Sequence, residues 1–218
     1  MKKNIKNLID RKGSLAENEV KDLLKFYNIK TTKYKLVERV DDLNNIDLTY
    51  PLALKVCSKN ILHKTDVGGV KLNIQNFLEL EKTFKVFKKK FPDEKFLVDQ
   101  MEEKSVEIII GLVQDPTFGL SIMVGIGGIY TELYKDVSFR VVPIDLYDAE
   151  EMIEEIKGKK LLEGFRNIKA NKKLVIDLIL KVSKIGEELK DRIDQLDLNP
   201  VFVYKDKTCV IDAKLILK

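Results

Sequence analysis

Ile61-Leu62-His63-Lys64-Thr65-Asp66-Val67-Gly68-Gly69-Val70 holds the one histidine of a 218-residue chain, and its setting governs how the fold reads. Ahead of it, Pro51 precedes Leu52-Ala53-Leu54-Lys55-Val56-Cys57, a short apolar run interrupted once, by Lys55. Such a run reads as a buried strand. Behind it, Val70 to Ile74 reads as another, so the histidine belongs to a loop, Ser58 to Gly69, that joins two strands. Phe77, Leu80, Phe84 and Phe87 then recur at helical spacing. Upstream, Ser14-Leu15-Ala16-Glu17 has the form of a capping box, in which Ser14 accepts from the Glu17 amide and Glu17 reaches back. Ala16, Val20, Leu23, Leu24 and Tyr27 follow on one helical face, with Asn28 suited to a left-handed close. Residues 1 to 12 read as a loosely held polar tail, and a strand is expected near Lys33 to Glu38.

From Phe96 the chain changes character. Phe96 to Met101, Val106 to Val113, Leu120 to Gly125, Ile129 to Leu133 and Ser138 to Val142 read as successive strands, with Asp115-Pro116 and glycines as turns. Helices are expected over about 146 to 157 and 171 to 190, the second with Leu174, Leu178, Val182, Ile185 and Leu189 in one stripe. Ile193 to Tyr204 and Thr208 to Leu217 form a hairpin around Lys205-Asp206. The class is α+β in two lobes: a helix within 1–28 that packs on the second lobe, a first lobe over 29–98 and a second over 99–218.

Composition narrows the functions. Hydrophobic residues at 44% beside 34% charged residues describe a globular chain, not a disordered one. No apolar run approaches the roughly 18 residues that cross a bilayer. Met1-Lys2-Lys3-Asn4 does not open a signal peptide, so the cytoplasm is the expected address and no membrane is involved. A net charge of +4, with basic residues scattered, is too small to imply nucleic acid by itself, and no nucleic-acid partner is expected. The run Lys88-Lys89-Lys90 reads as a solvated helix end. Cys57 and Cys209 stand alone, in neither a disulfide framework nor a zinc motif.

Three groups carry chemistry. In Asp197-Leu198-Asn199-Pro200, Asp197 and Asn199 share a strand face. If Lys205-Asp206 is a two-residue turn, Tyr204 pairs with Lys207 and Asn199 lies opposite Asp212. Three oxygen-bearing side chains then converge, a set suited to Mg²⁺; the alternative is a plain turn ending a strand. Lys55, a cation in an apolar strand, must either meet an anion such as phosphate or face water from an edge strand. His63, beside Lys64, Asp66 and paired glycines, can act as a nucleophile toward phosphoryl groups, with Asp66 setting its tautomer; it reads equally as a surface residue. Gly125-Ile126-Gly127-Gly128 is not GxGxxG, and nothing fits GxxxxGK[ST], so nucleotide binding needs another scaffold. The glycine turn can still offer backbone amides to a phosphate.

Taken in order, these segments resemble the ATP-grasp β subunit of ADP-forming acyl-CoA (acetyl-CoA) synthetases, relatives of succinyl-CoA synthetase. The resemblance runs through Tyr50 to Val56, Ile61 to Leu72, Glu107 to Gly111, Asp115 to Gly119, Gly125 to Glu132, Lys135 to Arg140 and Leu196 to Pro200. It implies an ATP-grasp fold of two lobes with ATP or ADP between them. Lys55 would hold nucleotide phosphates, and residues 98 to 101 would be the hinge at the adenine. Gln100, Met101 and Glu107 would be nucleotide-binding positions, although Asp99-Gln100-Met101 departs from the family's Gln-Glu-Met. Gly127, Gly128 and Glu132 match the turn near the transferring phosphate, Asn199 and Asp212 the Mg²⁺ positions. Asp197 matches an acidic residue that steadies the partner's phosphohistidine, and His63 the histidine that is phosphorylated in transit. Gly164-Phe165-Arg166-Asn167 is a looser match. The partner implied is a CoA-binding α subunit in a heterotetramer. Two other readings are a non-catalytic nucleotide-binding subunit that regulates an acyltransferase, and a stand-alone ATP-grasp carboxylate–amine ligase.

Overall fold

The apolar run Leu52–Cys57 is a strand buried at all six positions, and it lies inside a sheet, not at its edge. In chain order the strands are β1 (Gly13–Ser14), β2 (Tyr34–Val37), β3 (Leu52–Cys57), β4 (Val70–Ile74), β5 (Lys95–Gln100) and β6 (Val106–Asp115). They continue as β7 (Gly119–Ile126), β8 (Val137–Val141), β9 (Ile193–Val203), β10 (Thr208–Val210) and β11 (Ala213–Leu217). The helices are α1 (Lys3–Ile9), α2 (Glu17–Phe26), α3 (Phe77–Lys90), α4 (Leu146–Glu155) and α5 (Lys172–Leu189). The computed structural model describes residues 3–61, 63–128, 136–164 and 170–218. The strand expected over Ile129 to Leu133, the position Glu132 and the match at Phe165 to Asn167 lie outside the described residues.

The chain divides into two units: Leu15–Glu19 with Thr32–Glu103, and Met1–Ser14 with Val20–Thr31 and Lys104–Lys218. The smaller unit is an antiparallel sheet in the order β2-β5-β3-β4. One face packs on α3, whose Leu80, Phe84 and Phe87 join Leu52, Leu54, Val56, Phe96 and Val98 in a single core. Phe77, in the first turn of α3, is 40% exposed, so the apolar stripe buries three of its four members. Asn76 caps this helix by accepting from the Glu79 amide at 3.0 Å.

The larger unit is a sheet in the order β1-β11-β9-β6-β7-β8, with β10 also paired to β9. Along β9, Leu196 and Leu198 are buried while Gln195 and Asp197 are half-buried and Asn199 is exposed, the alternation of a half-covered sheet. Helices α4 and α5 cover one face. Gly186 of α5 sits against Leu112 and Leu120, close enough that a Cβ there would meet their methyl groups at 3.2–3.4 Å. The buried face of α5 is wider than the expected stripe, for Val175, Ile179 and Ser183 join Leu178, Val182, Ile185 and Leu189.

Two expectations are corrected here. Residues 3–9 are a helix, not a loose tail: Ile5 and Ile9 are buried, and the Arg192 guanidinium donates two hydrogen bonds to the Ile9 carbonyl, at 2.9 and 2.8 Å. The capping box is displaced. Ser14 pairs with Ile216 in the sheet, and it is the Ala16 N–H that donates to Glu19 at 2.9 Å. Glu17 is thereby released from capping. The close of α2 follows the expectation, with Asn28 at φ 56° and the Ile29 amide donating back to Leu24 at 3.0 Å.

Candidate functional site

Lys55 is 5% exposed and flanked on both sides, by Leu97 of β5 and Val70 of β4. The water-facing alternative is therefore ruled out. A buried ammonium needs anions, because desolvation otherwise drives off its charge. Two are present: Asp99 at 2.8 Å and Glu17 at 3.1 Å. Asp99 accepts at its other oxygen from the Thr32 hydroxyl at 2.9 Å, and the second oxygen of Glu17 meets the Lys64 ammonium. Lys55 thus meets carboxylates of its own unit, and through Glu17 it is linked to the residue that follows His63.

The His63 loop is a built structure. Its base is tied by the Gly69 N–H to the Lys64 carbonyl at 2.7 Å, by the Gly68 N–H to Thr65 at 2.9 Å, and by the Val56 N–H to the Gly69 carbonyl at 2.8 Å. Gly69 has to be glycine, since a Cβ would fall 2.9 Å from a Val56 methyl and 3.1 Å from the Lys64 carbonyl oxygen. Lys90 donates to the Val67 carbonyl at 2.6 Å, so one member of the lysine run braces this loop and is not simply solvated. His63 itself is exposed. Asp66 is exposed as well, and among the described residues no hydrogen bond or ion pair joins it to His63, so the tautomer-setting role expected of it has no support in the geometry.

At the end of β5, Gln100 accepts from the Thr49 N–H at 3.1 Å through its side-chain oxygen, which leaves its NH₂ group to offer a ligand. The Met101 N–H donates to Pro51 at 3.0 Å, and its sulfur accepts from Asn73 at 3.1 Å. Both residues are anchored to the smaller sheet.

In the larger unit the closing hairpin has the register that a two-residue turn demands. The Tyr204 N–H donates to Lys207 at 2.8 Å, and Val203, Phe202 and Val201 face Thr208, Cys209 and Val210. Asn199 lies opposite Asp212, its N–H donating to the Asp212 carbonyl at 3.2 Å. Asp197 pairs with Lys214. Burial pushes the Asp197 carboxyl above its ordinary range; Lys214 pulls it back and Asp212 pushes it further. Partly buried oxygens of this kind, whose charges repel, fit a hard cation that takes few protein ligands. Among the described residues no group of three or more His, Cys, Asp or Glu side chains forms a metal cage.

Beside this hairpin, β6 carries Glu107 to the glycine turn. The Gly127 N–H donates to the Glu107 carbonyl at 2.7 Å, so that amide is committed to the backbone and not to a phosphate. A Cβ on Gly127 would lie 3.0 Å from the Glu107 carbonyl carbon, and one on Gly128, at φ +72°, 3.5 Å from a Glu107 carboxylate oxygen. Gly127 gives Glu107 room, and Gly128 supplies the left-handed turn. The partners that sequence reasoning missed are Glu17, Asp99, Thr32, Lys90 and Lys214. For Glu17 the signal was present but ambiguous, since Ser-x-x-Glu before an apolar stripe is also a capping pattern.

A four-stranded sheet with a buried strand lysine and a tied glycine loop in one unit, and a larger sheet ending in an acidic hairpin in the other, define a protein of the ATP-grasp class, and the ATP-grasp domain family matches residues 6–217. The β subunit of acetate–CoA ligase (ADP-forming) II of Pyrococcus furiosus is 40% identical over 97% of this chain and 94% of its own. Acetate–CoA ligase (ADP-forming) II of Archaeoglobus fulgidus is 39% identical over 93% of this chain, which spans only 30% of that longer protein. The dinucleotide-forming acetyl-coenzyme A synthetase 1 of Candidatus Korarchaeum cryptofilum, solved with coenzyme A and Ca-AMPCP, superposes with a TM-score of 0.89 at 37% identity, over 98% and 97% of the two chains. A second structure of that enzyme, with Mg-AMPPCP and its phosphohistidine segment pointing towards the nucleotide binding site, gives 0.81 at 39% identity, over 94% and 93%. The chain belongs to the ATP-grasp β-subunit family of ADP-forming acetate–CoA ligases.

Proposed function

We propose that this chain is the nucleotide-binding β subunit of an ADP-forming acyl-CoA synthetase: acyl-CoA, ADP and phosphate give carboxylic acid, ATP and CoA. The observation that carries the reading is His63, exposed on a loop braced by Lys64 and Lys90, in a chain whose β-subunit relative matches it almost end to end. His63 accepts a phosphoryl group from a phosphohistidine of the partner: the new N–P bond forms on its ring as the partner's breaks. It then gives the group to the terminal oxygen of ADP, and the imidazole is regenerated. Lys55, together with Gln100, Met101 and Glu107, serves the nucleotide, and Gly127 and Gly128 form the turn hydrogen-bonded to Glu107. Asp197 steadies the incoming phosphohistidine. Asn199 and Asp212 would hold Mg²⁺, which when bound neutralises charge on the phosphate oxygens.

The partner supplies the CoA-binding and acyl-phosphate chemistry, and we place the two in a heterotetramer in the cytoplasm. The single-chain ligase that is over three times as long supports this division, since this chain matches only 30% of it. No helix among the described residues is long and apolar enough to cross a membrane. The regulatory reading is set aside, because the relatives carry ligase names.

The test is a half-reaction. The chain, incubated with Mg-ATP labelled on its terminal phosphate, gains an acid-labile, base-stable label, and His63→Ala loses it while nucleotide affinity stays within about twofold, the loss being of the chemistry and not of binding. Undiminished labelling of His63→Ala overturns the relay.

A further inference from the structure

The Glu17 side chain joins the buried lysine of β3 to the histidine loop. It is 5% exposed, and its two carboxylate oxygens are divided: one lies 3.1 Å from the Lys55 ammonium, the other meets Lys64. For neutralising Lys55 the second oxygen is superfluous, because Asp99, 2% exposed, already stands 2.8 Å from that ammonium. What the second oxygen does is fix Lys64. The Lys64 carbonyl in turn receives the Gly69 N–H at 2.7 Å, and Lys90 holds the Val67 carbonyl at 2.6 Å. The segment is therefore clamped at residue 64 by a side chain and at residues 67 to 69 by the main chain. His63 is one peptide from the first clamp, and consecutive Cα atoms are about 3.8 Å apart. A shift of Lys64 therefore moves the main chain that carries the imidazole.

We infer that Glu17 is a positioning residue for phosphoryl transfer at His63, acting through Lys64, in addition to its pairing with Lys55. The inference rests on the reading of His63 as a phosphoryl carrier. Transfer requires the ring nitrogen in line with the phosphorus, and misplacement by about 1 Å costs on the order of a hundredfold in rate. A carboxylate held in a buried strand–helix junction is a stiff reference point for that alignment, whereas an exposed loop histidine has none of its own.

The experiment uses the whole chain and the rate of His63 labelling from Mg-ATP, followed as a function of ATP concentration. Lys64→Met removes only the ammonium and leaves the Lys55–Glu17–Asp99 contacts standing. It is expected to label about 10- to 100-fold more slowly, with the half-saturating ATP concentration changed less than about twofold. Lys64→Arg, which can still reach a carboxylate, restores most of the rate. Glu17→Gln is slowed as well, and the double variant Glu17→Gln/Lys64→Met is no slower than Glu17→Gln alone, as expected of two residues in one linkage. Wild-type labelling rates in Lys64→Met overturn the inference. So do losses that multiply in the double variant, or a raised half-saturating ATP concentration at unchanged rate, which would make Lys64 a nucleotide ligand. Unfolding temperatures of the variants separate misfolding from misplacement. The underlying relay fails differently: the wild-type chain then takes no label on His63, before any variant is made.

Discussion

At the scale of single residues, Lys55 and Asp197 meet the same difficulty with opposite signs and resolve it differently. Lys55 is buried between two carboxylates, Glu17 and Asp99. Asp197 has one cation, Lys214, and a second carboxylate, Asp212, so burial leaves its carboxyl raised. A carboxyl raised in the folded state binds its proton more tightly there than in the unfolded chain. Its favourable contribution is present at low pH and is lost as pH rises through the folded value. At neutral pH the ionised Asp197 therefore weakens the fold. Asp197→Asn should raise stability at pH 7 and give no gain near pH 3, below the ordinary carboxylate value of about 3.9. Urea unfolding at the two pH values measures this, and a loss at pH 7 contradicts it. If Mg²⁺ sits beside this carboxylate, the cation narrows the difference between wild type and variant.

At the scale of elements, what the sequence disclosed and what it withheld divide by the distance over which the determinants act. The closing hairpin was legible because a two-residue turn leaves a single register, and Asn199 opposite Asp212 follows from it. Apart from β1, which was read as the start of a helix cap, the strands of both sheets were legible from apolar runs broken by glycine, proline and aspartate. The anions of Lys55 were not, because they lie 38 and 44 residues away along the chain, where no periodicity reaches. The N-terminal helix was missed for a similar reason: Lys3–Ile9 is held by Arg192, a partner known only once the chain has folded. The displaced cap of α2 was a local misreading, since Ser14 is taken by the sheet before it can cap. The C-terminal end of the same helix offers a test. Tyr27, 9% exposed, donates from its hydroxyl to Glu188 of α5 at 2.8 Å, and burial, reinforced by that carboxylate, pushes the phenol up. Tyr27→Phe should cost about 1.5–3 kcal/mol, the range for a hydrogen bond to a charged group. Denaturant unfolding reads the difference, and a neutral substitution would mean that water serves Glu188 equally well.

At the scale of the whole molecule, the chain carries a histidine, a set of residues proposed to serve the nucleotide and an acidic hairpin, but in the proposed relay the phosphoryl group reaches the histidine from another polypeptide. Binding and turnover should therefore separate. A ligand that binds the native chain alone stabilises it by RT ln(1 + [L]/Kd), about 2.7 kcal/mol at a hundred times Kd. For a chain of 218 residues that corresponds to a rise in unfolding temperature of about 5–10 °C. Mg-ADP should produce this rise in the isolated chain. EDTA, or Asp212→Asn at the proposed cation position, should remove most of it, because the nucleotide then arrives with its phosphate charge uncompensated. The same isolated chain, given ADP, phosphate and acetyl-CoA, should make no ATP, and ATP should appear on adding the CoA-binding partner. ATP formation by the chain alone would mean that acyl-phosphate chemistry resides in these 218 residues. A thermal shift indifferent to Mg²⁺ would instead remove the hairpin from the nucleotide site while leaving the histidine's role to the labelling experiment.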